Sequence, residues 1–278
     1  MQPFTLNLRG KVVSYDRPQV MGILNVTPDS FYAGSHNRSD TEVCRRVEQM
    51  AAEGADFIDV GGYSSRPGAS EVTVEEELRR VMTGVTCARR IAPQIPVSVD
   101  TFRACVARRA VEEWGADIVN DISGGALDPD MFAEVARLKV PYILMHMRGT
   151  PSTMQSLTDY ADVTADVITE LQSRLLTVTR MGVSDVIIDP GFGFAKTLGQ
   201  NYELLRHIGD ICRILERPVL AGMSRKSMIT RLCGITADEA LPGTVALHTA
   251  AIMGGASFVR VHDVAPAVQA LRVTIPLL

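Results

Sequence analysis

The amino-acid sequence predicts an α/β fold, a (β/α)8 TIM-type barrel built as a single domain. Three observations carry that prediction. Short apolar runs rich in β-formers alternate with longer helical patterns eight times, as a parallel barrel requires. The chain has 278 residues, against roughly 250 for such a barrel. No GxGxxG turn follows the first strand, which counts against an open, doubly wound sheet.

Taken in order, the strands are VMGILNV (20–26), DFIDVGG (56–62), PVSVDT (96–101) and DIVNDI (117–122). The second half continues with PYILMHM (141–147), DVIIDP (185–190), PVLAGMS (218–224) and FVRVHD (258–263). Between them run amphipathic segments such as 74–92, rich in Glu and Arg with apolar residues at helical spacing. Gly54, Gly115, Gly182 and Gly255 each precede a strand, where a left-handed cap ends the helix before it. No linker, low-complexity tract or shift in composition divides the chain. One domain over residues 1–278 is expected, its barrel core at about 18–273.

Composition narrows the function. The chain is 46% hydrophobic and 22% charged with a net charge of −4, so it has no general attraction for nucleic acid or anionic membrane. Any anion it binds must meet a local cluster of cations. Cys44, Cys87, Cys105, Cys212 and Cys233 are scattered and form no CxxC, which suggests neither zinc nor a disulfide framework. Reduced thiols in a soluble, cytoplasmic protein are expected. The opening MQPFTLNLRGKVV lacks a long apolar segment, and no later run reaches membrane-spanning length.

Barrel chemistry sits at the C-terminal ends of the strands. Those ends carry Asn25, Asp59, Asp100, Asn120 with Asp121, His146, Asp189, Ser224 with Arg225 and Lys226, and Arg260, His262 and Asp263. A single Asp there is commonly a helix cap or a turn residue. Polar groups on nearly every strand end are much harder to explain as caps. Asp100, Asn120 and Asp189 suit a flat heterocycle with an amidine-like N–H edge, which a carboxylate can grip in bidentate fashion. Arg66, Lys226, Arg260 and His262 suit a phosphate or carboxylate anion. GFGFAK (191–196) lacks Walker A spacing and reads as a mobile loop after the sixth barrel strand.

The motifs MGILNVTPDSF (21–31), RPGA (66–69), SVDT (98–101), VNDI (119–122), LMHM (144–147), IDPGFGFAK (188–196), GMSRKSMI (222–229) and RVHDV (260–264) closely resemble the dihydropteroate synthase family. The resemblance runs in order over roughly residues 18–273. It implies a barrel that joins 4-aminobenzoate to 6-hydroxymethyl-7,8-dihydropterin diphosphate and releases diphosphate. It further implies that Asp100, Asn120, Asp189, Lys226 and Arg260 hold the pterin, with Met147 against it. Asn25 resembles the ligand of Mg²⁺ and diphosphate, and Arg66, Arg260 and His262 the remaining anion site. Ser65, Arg66, Pro67, Phe194 and Ser227 resemble positions around the aminobenzoate. Asp100, Lys226, Arg260 and Asn25 are then the expected catalytic set, and a homodimer formed through outer helices is implied.

Two departures stand out. The family's first loop usually carries an acid where this chain has Ala33, in SFYAGS, and Tyr63 opens the second loop where Glu is usual. Two other functions compete. A pterin-dependent methyltransferase would share the carboxylates but needs no diphosphate-binding cations, and a catalytically idle pterin sensor would release no diphosphate. Among the remaining residues, His146 reads as a core histidine bonded to backbone, and His36, His207 and His248 as surface or helix residues. Tyr63 reads as a rim residue, and Glu75, Glu76 and Glu77 as a solvated first helical turn.

Overall fold

The computed structural model describes residues 2–27, 36–63 and 71–278, the side chains of 36–39 excepted. A hairpin comes first, β1 (Phe4–Leu8) and β2 (Lys11–Tyr15). The first half of the barrel follows as β3 (Gln19–Asn25), α1 (His36–Glu53), β4 (Phe57–Gly61), α2 (Val74–Ile91), β5 (Val97–Asp100), α3 (Ala104–Glu112), β6 (Ile118–Asp121) and α4 (Met131–Leu138). The second half is β7 (Tyr142–Met145), α5 (Val163–Arg180), β8 (Val186–Asp189), α6 (Leu198–Arg206), α7 (Ile208–Leu215), β9 (Leu220–Ala221), α8 (Ser227–Cys233), α9 (Leu241–Met253), β10 (Phe258–Val261) and α10 (Val264–Thr274).

The eight barrel strands are parallel in the order β8-β7-β6-β5-β4-β3-β10-β9. A parallel bridge between Ile188 and Val219 joins the two ends. The fold is the expected (β/α)8 barrel, and every expected strand lies within a residue or two of an observed one. β9 is the exception in length, because Pro218 lacks an N–H for the ladder and Gly222 follows at once.

The hairpin was not expected. Arg9 (φ 53°) and Gly10 (φ 84°) both take left-handed conformations, as a two-residue turn matched to strand twist demands. The hairpin plugs the N-terminal end of the barrel. Leu6 is buried among Met21, Phe57, Ile118, Ile143, Ile187, Leu220 and Phe258, and Phe4, Tyr15, Phe57 and Phe258 pack ring against ring above it. With the bottom sealed by apolar side chains, the polar ones are left for the opposite mouth.

The outward face of each strand is apolar and packs on the helical ring. Here one expectation fails. Cys44 of α1 and Cys87 of α2 form a disulfide, with Cα atoms 5.3 Å apart. The pair joins residues 43 apart in sequence, a proximity set by helix packing that spacing does not reveal. Cys105, Cys212 and Cys233 are free. Among the described residues, no helix is long and apolar enough to cross a membrane.

Candidate active site

Strand side chains alternate between the barrel interior and the helices, and this places the polar groups. Asn25, Gly61, Asp100 and Asn120 are register partners across β3, β4, β5 and β6 at the open mouth. Asp59 lies two residues deeper, level with Ile23 and Ser98, and Asp189 ends β8 beside Met145. Asp121 takes the opposite face. It accepts from the Tyr142 hydroxyl, the Ser123 hydroxyl and the Ser123 and Gly125 amides, so it shapes a turn and stays out of the mouth.

Arg260 ties the floor together. Its Nε donates to Asp59 Oδ2 and its Nη2 to Asp100 Oδ2, each at 2.6 Å. Asn120 Nδ2 adds a bond to the same Asp59 oxygen at 3.0 Å. Burial works against the Arg260 charge, but Asp59 and Asp100 outweigh it and the guanidinium pKa rises. The Asp100 carboxyl is pushed up to about 7 by burial, against the pull of Arg260. Asp59 is fully buried, and its Oδ2 aims Arg260 and Asn120. Among the described residues, Arg260 Nη1, Asp100 Oδ1 and Asn120 Oδ1 form no hydrogen bond, which leaves them for a guest.

Asp189 is fixed through Oδ1, which accepts the Gly191 amide at 2.7 Å, and Oδ2 makes no hydrogen bond among the described residues. Burial raises its pKa, with the Lys226 charge opposing. Lys226 caps α8 and donates to Phe192 O at 2.6 Å; its ammonium lies 4.7 Å from the Phe194 ring centre. Burial pulls that lysine down to about 8, and Asp189 resists the change. Two glycines lie beside these groups. A Cβ on Gly222 would sit 3.8 Å from both Asp189 Oδ2 and Lys226 Nζ. One on Gly61 would sit 3.4 Å from Asn25 Oδ1 and 3.8 Å from Asp100 Oδ2. The Asn25 side chain, half-buried, makes no hydrogen bond among the described residues.

At the β10 end, the Ser224 hydroxyl accepts the His262 amide at 3.1 Å and lies 3.0 Å from the ring Nδ1. Its single proton can be donated to Nδ1, which places the ring proton on Nε2. Arg225, held at φ 56°, bonds Asp263 through two nitrogens at 2.8 and 2.9 Å. That clamp joins the loop carrying Lys226 to the strand end carrying His262. Met147 and Phe194 pack with Ile122 and Met145 in a small apolar cluster. Ser227 is exposed on the first turn of α8.

The structure therefore brings together Asn25, Asp100, Asn120, Asp189, Lys226 and Arg260, with His262, Met147, Phe194 and Ser227 nearby in the fold. Ser65, Arg66, Pro67 and Ala33 lie outside the described residues. Several other expectations need correction. Glu77 is wholly buried: its carboxylate accepts from Thr101 Oγ1 at 2.6 Å and Arg103 Nη1 at 2.7 Å, because that face of α2 turns toward β5. His248 is a helix residue of α9, as one of the two alternatives had it, but it is buried and accepts the Met223 amide at 3.3 Å. His146 is a core residue, but its partners are the side chains of Glu170 and Lys196, each at 3.1 Å. The 191–196 loop does not stand loose. Lys196, 4% exposed, bonds back to Gly191 O at 3.0 Å and Phe194 O at 3.1 Å. Tyr63 does pack on the rim, edge-on to Phe102. Sequence reading assigned no role to Asp59, Lys196 or the Arg225–Asp263 clamp. Their partners lie 201, 50 and 38 residues away; the local signals were the strand-end positions of Asp59, Arg225 and Asp263 and a lysine after a glycine-rich turn.

A family model described as pterin binding enzyme matches residues 21–262. Dihydropteroate synthase of Synechocystis sp. is 44% identical over 260 residues, covering 92% of this chain and 89% of that protein. The solved structure of the Xanthomonas albilineans dihydropteroate synthase with 4-aminobenzoic acid superimposes with a TM-score of 0.88 at 41% identity, covering 98% of this chain and 97% of that one. The same Xanthomonas albilineans enzyme in complex with 7,8-dihydropteroate gives a TM-score of 0.86 at 39% identity over 99% of this chain and 98% of that one.

Proposed function

The chain belongs to the pterin-binding enzyme family, and we infer that its activity is that of a dihydropteroate synthase. It joins 4-aminobenzoate to 6-hydroxymethyl-7,8-dihydropterin diphosphate in folate biosynthesis and releases diphosphate. The observation that carries this reading is a mouth furnishing both halves of the required recognition. Carboxylate and amide oxygens (Asp189 Oδ2, Asp100 Oδ1, Asn120 Oδ1) face the same opening as the cations Lys226 and Arg260. A pterin methyltransferase would use the first half alone.

In this mechanism Asp189 Oδ2 accepts the N–H edge of the pterin, while Asn120 and Asp100 hold the far side of the ring. Lys226 and Arg260 Nη1 lie along the heterocycle. Diphosphate leaves as the methylene carbon takes on positive charge that the electron-rich dihydropterin ring shares. Buried carboxylates at Asp100 and Asp189 stabilise that charge, and Arg66, Arg260 and His262 stabilise the leaving anion. The aromatic amine then attacks the methylene carbon and loses a proton, a step that needs position and exclusion of water more than a strong base. Phe194, Ser227 and the segment with Ser65, Arg66 and Pro67 bind the aminobenzoate. No covalent enzyme intermediate is required.

Asn25 fits Mg²⁺. Its uncommitted neutral oxygen faces the gap that Gly61 leaves open, and Mg²⁺ takes oxygen ligands while retaining waters and substrate phosphates. Bound there, the ion would neutralise diphosphate charge. The same reading includes a homodimer. The dimer draws support from exposed Met253 and Val273 on the adjoining helices α9 and α10, and sedimentation at varied concentration tests it. Activity is tested by giving the purified protein both substrates and Mg²⁺ and following 7,8-dihydropteroate by mass spectrometry. Product must appear only when both substrates are present.

A further inference from the structure

The residue with the most unexplained structure is Lys196. It is buried on a loop otherwise made of glycine, phenylalanine and alanine, and the mechanism above does not use it. Its ammonium has three acceptors: Gly191 O at 3.0 Å, Phe194 O at 3.1 Å and His146 Nδ1 at 3.1 Å. The Glu170 carboxylate against Nε2 takes the one proton of the neutral ring and leaves Nδ1 an acceptor, so all three acceptors are met by three N–H donors, the charged form. Burial opposes that charge and pulls the group down to about 7; Asp189 and Glu170 favour it, and Lys226 and Arg148 oppose it. With Nδ1 accepting, the His146 ring carries its proton on Nε2, which donates to Glu170 Oε2. Glu170 is gripped in turn by Arg148, whose guanidinium lies over the Tyr160 ring. The Tyr160 hydroxyl closes the circuit on Ala195 O at 3.0 Å.

The staple has two consequences at the mouth. Gly191, whose carbonyl Lys196 holds, donates its amide to Asp189 Oδ1. Phe194, whose carbonyl Lys196 also holds, presents its ring to Lys226. Gly191 sits at φ 72°, where a Cβ would lie 1.9 Å from His146 O, so the loop has a single tight seat against β7.

We propose that Lys196 is a positioning residue for this reaction: its ammonium seats the 191–196 loop so that Asp189 offers one free oxygen and Phe194 stands at the aminobenzoate. The inference rests on the reading of Asp189 and Phe194 as substrate-binding. The main effect is on affinity, because Asp189 keeps its charge when Lys196 is replaced and the groups acting on the departing diphosphate lie elsewhere. Calorimetry with unreactive 6-hydroxymethylpterin and steady-state kinetics test it on Lys196→Met, with thermal melting to confirm folding. The expected result is a rise of about tenfold or more in the pterin Kd and about fivefold or more in KM for aminobenzoate, while kcat falls by less than about threefold. A second pair covers the case of an unfolded Lys196→Met. His146→Asn keeps an acceptor where Nδ1 stands and should bind pterin within about threefold of wild type, whereas His146→Leu should bind about tenfold more weakly. Unchanged Kd and KM in folded Lys196→Met, a loss confined to kcat, or equal Kd values for the two His146 variants would each overturn the proposal. Asp189→Asn is the control. If it weakens pterin while Lys196→Met does not, only the positioning role fails. If Asp189→Asn binds normally, the underlying site reading fails instead.

Discussion

Asp189 shows how much one carboxylate oxygen can decide. Oδ1 is committed to the Gly191 amide and Oδ2 makes no hydrogen bond among the described residues, so in the proposed mechanism it is the acceptor offered to a pterin N–H. Asp189→Asn would remove the charge and can set a donor against a donor. Losing a charge-assisted bond of that kind should raise the Kd for 6-hydroxymethylpterin at least about tenfold by calorimetry. Asn25 acts on the other substrate half. Asn25→Ala should lower kcat by about two orders of magnitude, because leaving-group charge is largest in the transition state. Binding of the same pterin without diphosphate should change by less than about threefold, and a proportional loss of pterin affinity would place Asn25 on the ring instead. Both residues were legible in the sequence, since strand alternation puts them at an inward-facing strand end. Lys196 was not, and Asp59 was legible only as a polar strand end, without its part in aiming Arg260 and Asn120. They act by bonding other side chains, and their partners become neighbours only once the barrel closes.

Secondary elements divide the labour between stability and site. The hairpin β1–β2 seals the end of the barrel away from the mouth, with Leu6 at 1% exposure in its apolar plug. Leu6→Ala should therefore cost about 2–5 kcal/mol in chemical denaturation while leaving pterin affinity unchanged. The eight barrel strands were legible because parallel strands covered on both faces read as short apolar runs. The hairpin was not, because its strands alternate and are half exposed, although FTLNL followed by Arg-Gly carries the signal. Helix α9 supplies a pH-dependent contact. His248 accepts the Met223 amide, and burial pulls its pKa down to about 3. Between about pH 3 and 6.5 the unfolded chain holds a proton there that the folded one lacks. That contribution is complete above about 6.5 and is lost as pH falls through the window, by about 1.4 kcal/mol per pH unit. His248→Gln keeps an acceptor and removes the titration, so its stability between pH 5 and 6 should fall less steeply than wild type by about that slope. Equal slopes would mean that His248 is already protonated in the folded protein.

The whole barrel has a chemical polarity: an aromatic and aliphatic plug at one end, and carboxylates, amides and cations at the other. Inward side chains run from Phe57 and Phe258 at the plug to Asp59, Asp100 and Arg260 above it, so one parallel sheet serves both ends. Ala33, Ser65, Arg66 and Pro67 lie outside the described residues, and the roles given to Ser65, Arg66 and Pro67 belong to the proposed mechanism alone. The central claim is that this mouth couples departure of diphosphate to attack by the aromatic amine. Its most direct test measures diphosphate released against 7,8-dihydropteroate formed, with wild type and Asp189→Asn run in parallel, with and without 4-aminobenzoate. The account predicts one diphosphate per dihydropteroate in wild type, negligible release without aminobenzoate, and a large loss in the variant at subsaturating pterin. Folded wild-type protein that binds the pterin diphosphate yet releases no diphosphate with both substrates present would contradict it.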